Sequence, residues 1–90
     1  MLPDSKVPSV GASRIVRRKI KVGQKPVYLS LEVEFWTGFR DIARSQGLTL
    51  AQLLETIMAE HGSSTVSSAV RVFVLEHYRT LAKRRGAIIG

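Results

Sequence analysis

The chain has no cysteine, so it can hold no disulfide, no thiolate nucleophile and no Cys-based zinc or iron-sulfur site. Acidic residues are scarce, 7 against 14 lysines and arginines, which leaves a formal net charge of +7 and a pI near 10.6. Such a charge speaks to partners rather than to fold, with nucleic acid first, an anionic membrane second and a merely basic, soluble surface third. Long apolar runs are missing as well, so neither a signal peptide nor a membrane span is expected, and the reading is of a cytoplasmic protein with no membrane partner. Histidine occurs only at His61 and His77, with no HExxH, no GxxxxGK phosphate loop and no carboxylate pair at catalytic spacing. Asp41 and Glu55 read as solvated helix charges. Catalysis, a metal site and a cofactor are therefore not expected.

What is present is unevenly distributed. Residues 1 to 25 hold seven basic groups and one acidic, residues 26 to 82 hold four basic and six acidic, and Lys83, Arg84 and Arg85 follow. Both ends are basic around a slightly acidic middle. The 90 residues, 44% of them hydrophobic, suffice for one small domain whose core is marginal if it stays monomeric. Its parts are a flexible arm over residues 1–14, a domain over 15–85 and a short tail over 86–90.

KPVYLSL, Lys25 to Leu31, alternates with period two, which puts Val27, Leu29 and Leu31 on one face of a strand and Pro26, Tyr28 and Ser30 on the other. Pro26 cannot donate to a ladder and belongs at the strand's start or edge. A lone strand followed by helices cannot close a sheet, so it needs a partner. Upstream, RIVRRKIK either forms the first arm of a hairpin turning at Gly23 or remains a basic arm ahead of the strand.

Three helices follow. Glu32 to Gln46 repeats apolar residues at Phe35, Trp36, Phe39, Ile42 and Ala43, and stops at Gly47. Leu50 to His61 starts from Thr49, with Gln52 as the reciprocal capping partner, and carries Leu50, Leu53, Leu54, Ile57 and Met58 along one face. Val66 to Arg84 has helical spacing at Val66, Ala69, Val70, Phe73, Tyr78 and Leu81, although VRVFV alternates like a strand; the length of the flanking pattern favours helix. Trp36, Phe39 and Phe73 read as core rather than as stacking platforms for bases.

Arg14, Arg17, Arg18, Lys19, Lys21 and Lys25 can neutralise phosphates, and a two-stranded ribbon can enter a major groove. Their position beside the strand lifts this reading above that of a solvated charge run.

VYLSLEVEFWTGFRDIARSQGLTLAQLLETI and VSSAVRVFVLEHYR together resemble the ribbon-helix-helix domain in its small stand-alone bacterial form, over residues 25 to 79. The EFW, GLTL, SSA and RVFVLEHYR elements carry the likeness jointly. The resemblance implies a mainly α fold with a short N-terminal strand, and an intertwined homodimer whose strands pair antiparallel between subunits. The shared core would comprise Val27, Leu29, Leu31, Phe35, Trp36, Phe39, Leu53 and Ile57. Pro26, Tyr28 and Ser30 would face the bases of double-stranded DNA, and Thr49, at the start of the second helix, would meet a phosphate as well as cap the helix.

The base-facing positions depart from the family's usual Arg, Lys, Asn or Gln, since Pro26 has no hydrogen-bonding group and Tyr28 and Ser30 offer only hydroxyls. Either Lys19, Lys21, Gln24 and Lys25 supply contacts from an arm or hairpin, or the ribbon face serves another partner. The third helix adds to the minimal unit and would enlarge the dimer core or form a second interface, including a higher oligomer. Two functions follow: a homodimeric DNA-binding transcriptional regulator, or a protein-interaction module of antitoxin type with weak or generic DNA binding.

Overall fold

The computed structural model of the chain describes residues 14–62 and 65–89, so the N-terminal arm expected over residues 1–14 falls, Arg14 apart, outside the described residues. Five elements follow one another: β1 (Ile15–Val22), β2 (Lys25–Glu32), α1 (Val33–Ser45), α2 (Leu50–Glu60) and α3 (Val66–Ile89). RIVRRKIK, Arg14 apart, is therefore part of a strand. β1 and β2 form an antiparallel hairpin in which Val22 faces Lys25 and Ile15 faces Glu32. Gly23 at φ +63 and Gln24 make the turn, with positive φ at the first residue only. That is the arrangement of a type II′ turn, whose twist matches the flanking strands and which calls for glycine first.

Of the two alternatives open for the basic segment the structure has the hairpin, so β1 supplies β2 with a partner in its own chain. The two-residue turn closes the pairing locally, at little loop-closure cost. Because the Val33 N–H donates to the Arg14 carbonyl at 3.0 Å, alternation along the ladder makes Val16–Leu31, Arg18–Leu29 and Ile20–Val27 the hydrogen-bonded pairs. Pro26 lies opposite Lys21 in a non-bonded pair, so its missing N–H falls on the outer edge of β2 and costs the hairpin nothing.

α1 follows β2 without a loop and ends in a Schellman motif. Leu48 N–H donates to the Ala43 carbonyl and Gly47 N–H to the Arg44 carbonyl, with Gly47 at φ +68. α2 opens with the reciprocal cap read from the sequence: Gln52 N–H donates to Thr49 Oγ1 at 3.1 Å, and Thr49 N–H donates to Gln52 Oε1 at 2.8 Å. Thr65 caps α3 in the same position, accepting from Ser68 N–H. VRVFV is helical, and α3 runs past Arg84 to Ile89, Gly86 lowering its propensity without ending it.

The helices lie on one face of the hairpin, α2 against β1 and both α1 and α3 against β2. Leu29 and Leu31 are fully buried among Trp36, Phe39 and Ile42 of α1, Leu53, Leu54 and Ile57 of α2, and Ala69, Val70 and Val74 of α3. Val27 and Phe35 pack half-buried against them. Of the residues expected to line a shared core, Leu29, Leu31, Trp36, Phe39, Leu53 and Ile57 are thus buried already within one chain, together with residues of α3. Gly38 allows the close approach of α3: a Cβ there would stand 3.0 Å from Val74 Cγ1 and 3.3 Å from the Tyr78 ring.

Candidate nucleic-acid interface

The register decides which basic residues share a face. Side chains of directly opposed residues point to the same side of a sheet, and successive ones alternate. Val16, Ile20 and Val22 of β1 therefore join Val27, Leu29 and Leu31 on the inner face, where they pack against the core. The outer face carries Arg17, Lys19 and Lys21 from β1, opposite Ser30, Tyr28 and Pro26 from β2. All three cations are exposed, and Tyr28 is 52% exposed.

Arg17 and Arg18, adjacent in sequence, separate. The Arg17 guanidinium lies over the Tyr28 ring, 4.4 Å from its centroid, as a diagonal neighbour on the outer face. Arg18 occupies an inner position opposite Leu29 and reaches solvent past Trp36, its guanidinium 5.5 Å from that ring. Trp36 itself is 2% exposed and donates from Nε1 to the Val16 carbonyl at 2.9 Å, fastening α1 to β1. Arg14 and Lys25 stand exposed at the two ends of the hairpin, away from the outward row.

Cations on the outer face recur about every 7 Å along β1, two residues of strand. Among the described residues the salt bridges join Arg71 to Glu32 and Arg79 to Glu76, so all six hairpin cations keep their charge unpaired. The outer face is thus a positive strip whose only described acid is Glu32, at the far end of β2 and already engaged by Arg71. The Arg71 hydrogen bond, followed by that from the backbone N–H of Glu32 itself, holds the Glu32 carboxyl below its ordinary value against the opposing effect of burial.

Nothing in the sequence pattern foretells how α3 treats the outer edge of β2. Ser30 N–H donates to Ser67 Oγ at 3.1 Å, Arg71 Nη2 donates to the Ser30 carbonyl at 3.4 Å, and Arg71 Nε donates to Glu32 Oε1 at 2.9 Å. These contacts span 37 to 41 residues, beyond any local pattern. Thr49, the remaining sequence candidate, is exposed with its Oγ1 accepting the cap bond, which leaves its hydroxyl hydrogen free to donate. His61 caps the end of α2, and His77 stacks on Phe73 and meets the Tyr78 ring edge to face. Among the described residues no three His, Asp or Glu side chains converge, and no helix is long and apolar enough to cross a membrane.

A family model described as a ribbon-helix-helix domain matches residues 15–78, from the first residue of β1 to Tyr78 in α3. No curated protein and no solved structure matches the chain.

Proposed function

The chain belongs to the ribbon-helix-helix family, whose members bind DNA, form dimers and typically serve as non-enzymatic regulators, and we propose that it is a transcriptional regulator that lays the outer face of its hairpin in the major groove. The observation that carries the reading is the row Arg17, Lys19 and Lys21 beside Tyr28 and Ser30. The sequence alone left the ribbon with poor hydrogen-bonding groups; β1 brings cations to the same face. A two-stranded ribbon fits a groove about 12 Å wide, strands lying about 4.8 Å apart.

The active species is proposed to be a homodimer in which each copy presents its own complete ribbon to one half-site. Adding a mate's hairpin along β2 would make a four-stranded sheet, about 14 Å between outer strand axes before side chains and too wide for that groove. The edge itself offers little. Pro26 has no N–H, Ser30 is engaged by Ser67 and Arg71, and the Glu32 N–H bonds its own carboxylate, which leaves Tyr28 with both main-chain groups directed outward. Two hydrogen bonds about a two-fold axis at Tyr28 would contribute about 1–3 kcal/mol, below the roughly 4–15 kcal/mol that association costs.

The reading is tested by titrating random-sequence duplex across salt concentrations with the protein and with the Arg17→Ala, Lys19→Ala, Lys21→Ala variant. Log affinity should fall linearly with log salt, and the variant's slope should be shallower by up to about 2.7, near 0.9 per phosphate neutralised. Identical slopes would remove the outer face from the interface. A protein-interaction module is the second reading, favoured by Val72 and Leu75, which α3 leaves 47% and 52% exposed. Failure to bind any duplex would select it.

A further inference from the structure

We infer that Arg17 is the base-reading residue of the ribbon and a reader of guanine, with Tyr28 as the residue that positions it. The inference rests on the DNA-binding reading above and assigns specificity to β1, whereas the strand expected to face the bases is β2. The most discriminating readout of a base edge in the major groove is a pair of hydrogen bonds from one side chain. On the outer face, Pro26 has none, Tyr28 and Ser30 have one hydroxyl each, and Lys19 and Lys21 end in ammonium groups that act as point charges. Arg17 carries the only planar fork on that face. Arg18 has the same chemistry on the opposite side, over Trp36.

Position and preparation point the same way. Arg17 sits opposite Ser30, well along the hairpin from its turn, and its guanidinium lies 4.4 Å from the Tyr28 ring centroid. The cation–π contact holds the guanidinium against the ring, and no salt bridge among the described residues engages its N–H groups. An arginine held in its bound geometry loses less rotamer freedom on binding, which is the general advantage of preorganisation. The fork matches the O6 and N7 acceptors of guanine, which no other base presents together. Lys19 and Lys21, further toward the turn, then supply charge to phosphates without sequence information. Tyr28 therefore contributes through its ring rather than through its hydroxyl.

The experiment uses a duplex selected by the protein from a random pool, a scrambled control, and the same selected duplex with 7-deazaguanine, which lacks the N7 acceptor, at the guanines. Arg17→Lys should reduce the preference for selected over scrambled duplex by about tenfold or more while leaving the salt slope on scrambled DNA unchanged. Tyr28→Phe, which keeps the ring, should retain the preference, and Tyr28→Leu should lose it in the wild-type background but add nothing to Arg17→Lys. Deazaguanine substitution should weaken the wild type and leave Arg17→Lys unaffected. Specific binding that survives Arg17→Lys, or equal losses from Tyr28→Phe and Tyr28→Leu, would overturn the assignment while leaving the DNA-binding reading intact. A wild-type protein that binds no DNA, or all duplexes alike, would overturn the assignment together with the sequence-specific part of that reading.

Discussion

Replacing Gly23 by alanine tests whether the ribbon is closed within one chain. Gly23 sits at φ +63, where an L side chain is strained, yet a Cβ there would meet no atom within 4 Å. The cost is then purely that of the backbone, about 1–3 kcal/mol for a non-glycine residue held at a sparsely populated φ/ψ. Alanine also restricts the unfolded chain, which returns about 0.4–1 kcal/mol, so the net loss is about 1 kcal/mol. For a domain of this size that corresponds to a fall in Tm of about 4–8 °C. Gly47→Ala is the internal control, since Gly47 has φ +68 and equally open surroundings but ends α1 whether or not the hairpin exists. Thermal unfolding followed by circular dichroism should show a drop for both variants, that of Gly23→Ala at least as large. A drop for Gly47→Ala with no change for Gly23→Ala would mean that β1 is not held against β2 by this turn, and would refute the self-contained ribbon.

Arg18→Ala should leave the salt dependence of DNA binding unchanged, because Arg18 lies on the inner face; a slope reduced by about one would place it on the DNA. Leu29→Ala should cost about 2–5 kcal/mol in urea unfolding, since Leu29 is fully buried between the ribbon and the helices; a loss below about 1 kcal/mol would contradict that packing. Glu32 is held below its ordinary pKa of 4.5 by Arg71, so its ion pair stabilises the fold fully above about pH 4.5 and loses that effect as pH falls through the lowered folded value. The stability gap between wild type and Glu32→Gln should therefore narrow on acidification below about pH 4.5, and a gap independent of pH would assign Glu32 another role. Tyr28→Cys, the only thiol in such a chain, should not form a disulfide-linked dimer on oxidation; efficient cross-linking would show β2 pairing with its mate.

The local parts of this fold were open to reading and the long-range parts were not. Strict alternation from Pro26 to Leu31 marked β2 and its inner face, and the Thr49 and Gln52 spacing marked the start of α2, because both patterns lie within a few residues. β1 was ambiguous for a physical reason. Ile15 is apolar on the outer face and Arg18 is charged on the inner one, so its alternation is broken and its phase comes only from the turn at Gly23 and Gln24. That phase is what turns a general basic segment into an outward row of Arg17, Lys19 and Lys21. The clamp of Ser67 and Arg71 on Ser30 and Glu32 could not be anticipated, as nothing local links α3 to β2.

The most direct test is selection of duplexes from a random pool by the purified protein, followed by titration of the enriched and scrambled duplexes at one fixed salt concentration. The account predicts a repeated or palindromic site preferred by at least about 4 kcal/mol, the separation usual between specific and non-specific binding. Equal affinity for both duplexes would contradict it, reducing the outer face of the ribbon to a generic positive surface.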